Sequence, residues 1–97
     1  MKMQKQFVVV AYDISDDRRR TRLHDLLEDF GTPVQYSVFE CVLTPKQLEQ
    51  MQRRVRSKIK PTQDAVRYYR LCAECRAKIE VTSAGREVTR EVTEIIV

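Results

Sequence analysis

The sequence predicts an α+β domain in which helices cover one face of a mostly antiparallel sheet. Three observations carry that class. A continuous, β-branched apolar run stands near the start, two later segments place apolar residues at helical spacing behind capping residues, and further strand-like runs alternate with those helices. No glycine-rich phosphate loop is present, which excludes the P-loop and Rossmann classes of nucleotide-binding domain.

The first run, Phe7-Val8-Val9-Val10-Ala11-Tyr12, is uninterrupted and bounded by charge, as in a central strand buried on both faces. It stops at Asp13, leaving a carboxylate at the strand's end. Ser15 or Asp16 can cap the helix that follows, and Asp17 suits its positive end. Leu23, Leu26, Leu27 and Phe30 form the buried stripe of this helix, and Gly31 is expected to end it as a left-handed cap. From Val34 to Leu43, alternation puts Val34, Tyr36 and Val38 on one face and Gln35, Ser37, Phe39 and Cys41 on the other. This segment is long enough either to bend or to split into two short strands. Thr44 followed by Pro45 opens a second helix, with Leu48, Met51, Val55 and Ile59 inward, a basic end from Arg53 to Lys60, and Pro61 as its stop. Ala65 to Leu71 reads as another strand. A Cys72–Cys75 turn, an apolar stretch from Ile79 to Val81, and a tail beyond Gly85 complete the chain.

This order suits a ferredoxin-like βαββαβ sandwich over residues 1–85. Residues 86–97 read as an added C-terminal strand, docking within the chain or on a partner. One sheet face is left bare, and in a chain of 97 residues a second copy is its natural cover, so the expectation is a homodimer.

Eighteen Lys and Arg against fourteen Asp and Glu give a net charge of +4, which favours phosphate backbones as partners. No apolar run approaches the roughly 18–20 residues that cross a bilayer, so no membrane role is expected. Three cysteines, an odd number without a disulfide framework, point to a reducing cytoplasm.

Asp13 is the sharpest candidate for chemistry. It can be a turn or capping residue, or it can be a metal ligand. If a ligand, Mg²⁺ is the natural ion, because Mg²⁺ takes hard oxygens and often needs only one or two carboxylates. A two-fold dimer would bring two copies of Asp13 together, and metal there could generate hydroxide and stabilise a phosphodiester transition state. Arg18, Arg19, Arg20 and Arg22 follow within two turns. They are either a solvated face paired with nearby carboxylates or a phosphate-attracting field. Among aromatics that could stack on bases, most read as core, and Phe39 stands out because it shares a face with Ser37 and Gln35. His24 reads as an ordinary helix residue. Cys72-Ala73-Glu74-Cys75 is a lone CxxC read mostly as a tight connection: a redox role would need a helix N-terminus after a strand, with no βαβ context to support it, and zinc shared across a dimer is the weaker alternative.

The string from Val8 through Tyr12-Asp13 to Arg20, with Gly31 and then Gln35-Tyr36-Ser37-Val38-Phe39-Glu40, closely resembles the signatures of the CRISPR-associated protein two family. The strand from Val66 to Leu71 resembles a third element more loosely. The resemblance implies a ferredoxin-like homodimer of the CRISPR adaptation machinery, with the CRISPR integrase as partner and the DNA fragment of a new spacer as ligand. Family members are also described as metal-dependent endonucleases acting on RNA or double-stranded DNA. By position, Asp13 corresponds to the family's metal aspartate and Tyr12 to the tyrosine before it. Arg20 and Arg22 match helix arginines linked to activity, while Phe39 and Ser37 lie in the second signature. Where several relatives carry a basic residue before that signature, this chain has the uncharged Thr32-Pro33-Val34. Two functions follow: a Mg²⁺-dependent endonuclease acting through Asp13, or a non-catalytic scaffold that bridges integrase subunits and grips DNA. A generic RNA-binding module is a weaker third reading, lacking the aromatic-rich sheet motif of that class.

Overall fold

The computed structural model describes residues 4–82. Their order is β1 (Gln6–Asp13), α1 (Asp17–Leu27), β2 (Gly31–Gln35), β3 (Val38–Leu43), α2 (Pro45–Lys58), β4 (Ala65–Leu71) and α3 (Ala73–Ala77). The four strands form one antiparallel sheet in the order β2-β3-β1-β4, the arrangement of a βαββαβ sandwich.

Each of the two long helices starts where side chains can satisfy its free N–H groups. Asp16 caps α1 by accepting from the Arg19 N–H at 2.9 Å. Thr44 and Gln47 form a reciprocal capping box at α2, with Pro45 next to it. Leu23, Leu26 and Leu27 of α1 and Leu48, Met51 and Val55 of α2 then pack on the sheet face made by Val8, Val10, Tyr12, Phe39 and Cys41. Register explains the match: Val8 faces Cys41 and Val10 faces Phe39 across the ladder, so all four share one side. Each large apolar side chain enclosed here stabilises the fold by about 1.5–3 kcal/mol relative to exposure.

The opposite sheet face carries no helix of the βαββαβ unit. Alternation puts Val9, Ala11, Val38, Val42, Tyr69 and Leu71 on it, and Tyr69 is 47% exposed. Phe7, at one end of this face, is covered by the Arg76 guanidinium, 4.7 Å from its ring centroid.

Several expectations change. Gly31 does not cap α1; Glu28 does, and Gly31 is the first residue of β2. Its role is close approach: a Cβ there would lie 2.4 Å from both the Cys41 Sγ and the Glu40 carbonyl oxygen. The Val34–Leu43 segment splits, turning at Tyr36-Ser37 between β2 and β3. Pro33 is tolerated because β2 is an edge strand. The Cys72–Cys75 connection is the first turn of α3, and Ile79 to Val81 forms no strand. The added strand expected at residues 86–97 lies outside the described residues.

Candidate nucleic-acid interface at the end of the first strand

Asp13 ends β1 opposite Ala65 of β4 and is exposed. Alternation places it on the bare sheet face, in line with Val9 and Ala11. Its carboxylate has no hydrogen bond or ion pair among the described residues. Asp16, not Asp13, caps the helix. The capping explanation for Asp13 therefore fails, and a free carboxylate is left at the strand's end.

The backbone around it is fixed by the β2–β3 hairpin. The Tyr12 N–H donates to the Ser37 carbonyl at 3.1 Å, which fastens the hairpin tip to the end of β1. Tyr12 turns its ring inward, 5% exposed, and its hydroxyl donates to the Tyr36 carbonyl at 3.3 Å. The same hydroxyl stands 3.5 Å from His24 Nδ1. Burial pushes the Tyr12 pKa up, with the nearby Tyr36 adding to the rise and Arg20 opposing it. Ser37 thus contributes through its backbone.

Phe39 cannot stack on a base, because it is fully enclosed in the core. It supports the site from beneath, its ring edge-on to His24 at 5.1 Å and tilted against Tyr12 at 6.4 Å. Tyr36, at 80% exposure, is the aromatic that the hairpin tip offers to solvent, with the Arg20 guanidinium 5.9 Å from its ring centroid.

The four arginines separate into distinct roles. Arg19 clamps the fold: its Nε donates to Asp64 Oδ2 at 2.7 Å, and its Nη2 donates to Asp64 Oδ1 at 3.0 Å and to Gln63 Oε1 at 3.2 Å. Asp64 also accepts from the Lys60 N–H at 2.7 Å. Hydrogen bonding from Arg19 holds the Asp64 carboxyl below its ordinary range, against the opposing effect of burial. Arg20 donates to the Ile14 carbonyl at 2.9 Å and pairs with Asp17, which anchors it over the β1–α1 connection. Arg18 and Arg22 are exposed, and their guanidinium groups are unpaired among the described residues. At i and i+4 they share one helix face.

Two supporting residues escape sequence reasoning. Asp64 stands 45 residues from Arg19, and no local pattern marks it. His24 has a signal that spacing does offer: Glu28 at i+4, with 3.6 Å between Nε2 and Oε2. Among the described residues, no cluster of three or more His, Cys, Asp or Glu is placed to hold a metal. At this end of β1 the described residues supply the one carboxylate of Asp13, a donor set compatible with Mg²⁺, which keeps much of its water.

A strand-end aspartate, an arginine-rich first helix and a hairpin locked to both are accompanied by a match to a family model, that of CRISPR associated protein Cas2, over residues 6–79. The chain belongs to the Cas2 family. It is 42% identical over 73 residues to the CRISPR-associated endoribonuclease Cas2 3 of a Synechocystis species, covering 75% of this chain and 79% of that one. It is 43% identical over 83 residues to the CRISPR-associated endonuclease Cas2 2 of Thermus thermophilus, covering 86% and 88%. Its fold superposes with a TM-score of 0.69 on a chain of a solved partial Cas6-RT-Cas1–Cas2 complex, at 28% identity and covering 78% of this chain and 89% of that one. Among the described residues of this Cas2-family chain, no helix is long and apolar enough to cross a membrane.

Proposed function

We infer that this chain works as a homodimer on nucleic acid during CRISPR spacer acquisition, and that it is a Mg²⁺-dependent endonuclease acting through Asp13. The observation that carries this reading is the position of Asp13: an unpaired, exposed carboxylate on the same sheet face as an apolar patch that lacks a cover among the described residues. A two-fold axis passing close to the end of β1 would bring two Asp13 carboxylates toward one another. Two like charges at close range repel without a cation between them, so dimer geometry and metal binding are linked. The names of the relatives, an endoribonuclease and an endonuclease, support the activity.

Asp13 from each chain would hold the ion. When bound, Mg²⁺ supplies Lewis-acid stabilisation of a phosphoryl oxygen and a more acidic bound water. The chain's own residues do the rest. Arg18 and Arg22 bind backbone phosphate as exposed, uncommitted guanidiniums. Arg20, held by the Ile14 carbonyl and Asp17, orients the connection between Asp13 and α1. The Tyr12–Ser37 and Tyr12–Tyr36 bonds fix the backbone on which Asp13 sits.

The test compares wild type with Asp13→Asn on labelled RNA and duplex DNA in Mg²⁺, with the dimer verified by sedimentation. Wild type should cleave and the variant should not. Equal cleavage by both refutes the nuclease reading.

A second reading, a DNA-bridging scaffold beside the integrase, has its own support. One solved chain it superposes on belongs to a partial Cas6-RT-Cas1–Cas2 complex, and Thr32-Pro33-Val34 brings no charge just before the Gln35–Glu40 signature. Full spacer integration by Asp13→Asn with a Cas1-type partner would favour the scaffold.

A further inference from the structure

Cys72 and Cys75 have no part in the site above, and the structure gives them a setting that their spacing alone does not reveal. Strand β4 ends at Leu71, Cys72 caps α3, and Cys75 sits one turn on. The Cys75 N–H donates to Cys72 Sγ at 3.4 Å. Both side chains are exposed, whereas the third cysteine, Cys41, is buried in the core.

We propose that Cys72 and Cys75 form a redox-active dithiol that closes reversibly to an intramolecular disulfide, with low-molecular-weight disulfides of the glutathione type as its reaction partners. The two side chains stand within the first turn of α3, with the Cys72 sulfur held against the Cys75 backbone, and closure requires the loss of two protons and two electrons. Cys72 is the attacking group. Its sulfur accepts backbone hydrogen bonds, chiefly from Cys75, which favour the thiolate and lower its pKa. The Cys75 thiol is shifted the other way, mainly by the neighbouring Cys72 side chain, and keeps its proton longer. This is the division between nucleophilic and resolving cysteines.

The chemistry balances in two exchanges. Cys72 thiolate attacks one sulfur of the small disulfide, forming a mixed disulfide and releasing one small thiolate. Cys75 then gives up its proton and attacks the Cys72 sulfur, forming the Cys72–Cys75 bond and expelling the second thiolate. The protein is oxidised by two electrons, and the small disulfide is reduced to two thiols. The bridge would staple the first turn of α3 to the end of β4. The same helix carries Arg76, whose guanidinium covers Phe7 at the end of the bare sheet face.

Cys41 is an internal control. Burial pushes its thiol up to about 12, so it stays protonated and enclosed. The full-length protein is incubated with glutathione disulfide, denatured, alkylated and analysed by mass spectrometry. The three alkylatable thiols should fall to one, with the loss of two hydrogens mapped to the peptide holding Cys72 and Cys75. Dithiothreitol should restore all three. Cys75→Ser should instead stop at a single glutathione adduct on Cys72. Retention of three thiols, a stable glutathione adduct on wild type, or a disulfide linking two chains would overturn the proposal.

Discussion

Replacing Gly31 with alanine tests the packing that positions the hairpin. Gly31 faces Cys41 directly across the β2–β3 ladder. An added Cβ would sit 2.4 Å from Cys41 Sγ, 2.4 Å from the Glu40 carbonyl oxygen and 3.1 Å from Cys41 Cα. Ordinary contact begins near 3.4 Å, so β2 must retreat by about 1 Å. The carbonyl belongs to a ladder strand and Cys41 is fully buried, so neither can yield without disturbing the sheet. Overpacking of this kind costs about 1–3 kcal/mol. In a domain of this size each kcal/mol moves the melting temperature by roughly 4–8 °C, giving a fall of roughly 4–24 °C. Thermal unfolding followed by circular dichroism at one fixed protein concentration measures it, since the midpoint of a self-associating chain depends on concentration. The double variant Gly31→Ala/Cys41→Ala removes one of the two closest contacts and leaves the other. It should lose less than the sum of the two single variants, with a coupling of about 0.5 kcal/mol or more. An unchanged melting temperature in Gly31→Ala, or strict additivity in the double variant, refutes the close-approach argument.

Two further outcomes follow from the division of the arginines. Arg18→Ala and Arg22→Ala should each weaken nucleic-acid binding across all sequences and reduce the slope of log affinity against log salt by about 1, while Arg19→Ala leaves that slope unchanged and lowers stability; fluorescence anisotropy over a salt series separates them. The Asp64 carboxyl is held below its ordinary value by Arg19, so it stabilises the fold above the unfolded value of about 3.9 and loses that contribution as pH falls through the depressed folded value. Stability of wild type should therefore decline on acidification below about pH 4 more steeply than that of Asp64→Asn, as read by urea unfolding at a series of pH values.

What is legible in the sequence is local in origin. The run from Phe7 to Tyr12, the stripes Leu23–Leu26–Leu27 and Leu48–Met51–Val55, and the Thr44-Pro45 start are each decided within a few turns of chain. They match the structure for that reason. The hairpin break at Tyr36-Ser37 is ambiguous in sequence because Tyr36 favours strands, Ser37 turns the chain more weakly than glycine, proline or asparagine would, and alternation continues through both. Gly31 misleads because its reason for being glycine is Cys41, distant in sequence and adjacent in the sheet. Arg19 cannot be separated from Arg18, Arg20 and Arg22 without Asp64, which only the return of the chain into β4 delivers. Phe39 shares a predicted face with polar residues, yet that face is the one the two helices cover. Asp13 itself is marked by the strand's end. Its freedom from capping becomes clear only once Asp16 is seen to do that work.

In the proposed dimer, Asp13 is one half of a metal site completed by a second copy of the chain. Mn²⁺ binding, with Mn²⁺ standing in for Mg²⁺ and counted by electron paramagnetic resonance on the purified dimer, tests it most directly. Wild type should hold one ion for every two chains, competed away by Mg²⁺, and Asp13→Asn should hold none at the same protein concentration. One ion per chain, or binding that survives Asp13→Asn, would contradict it.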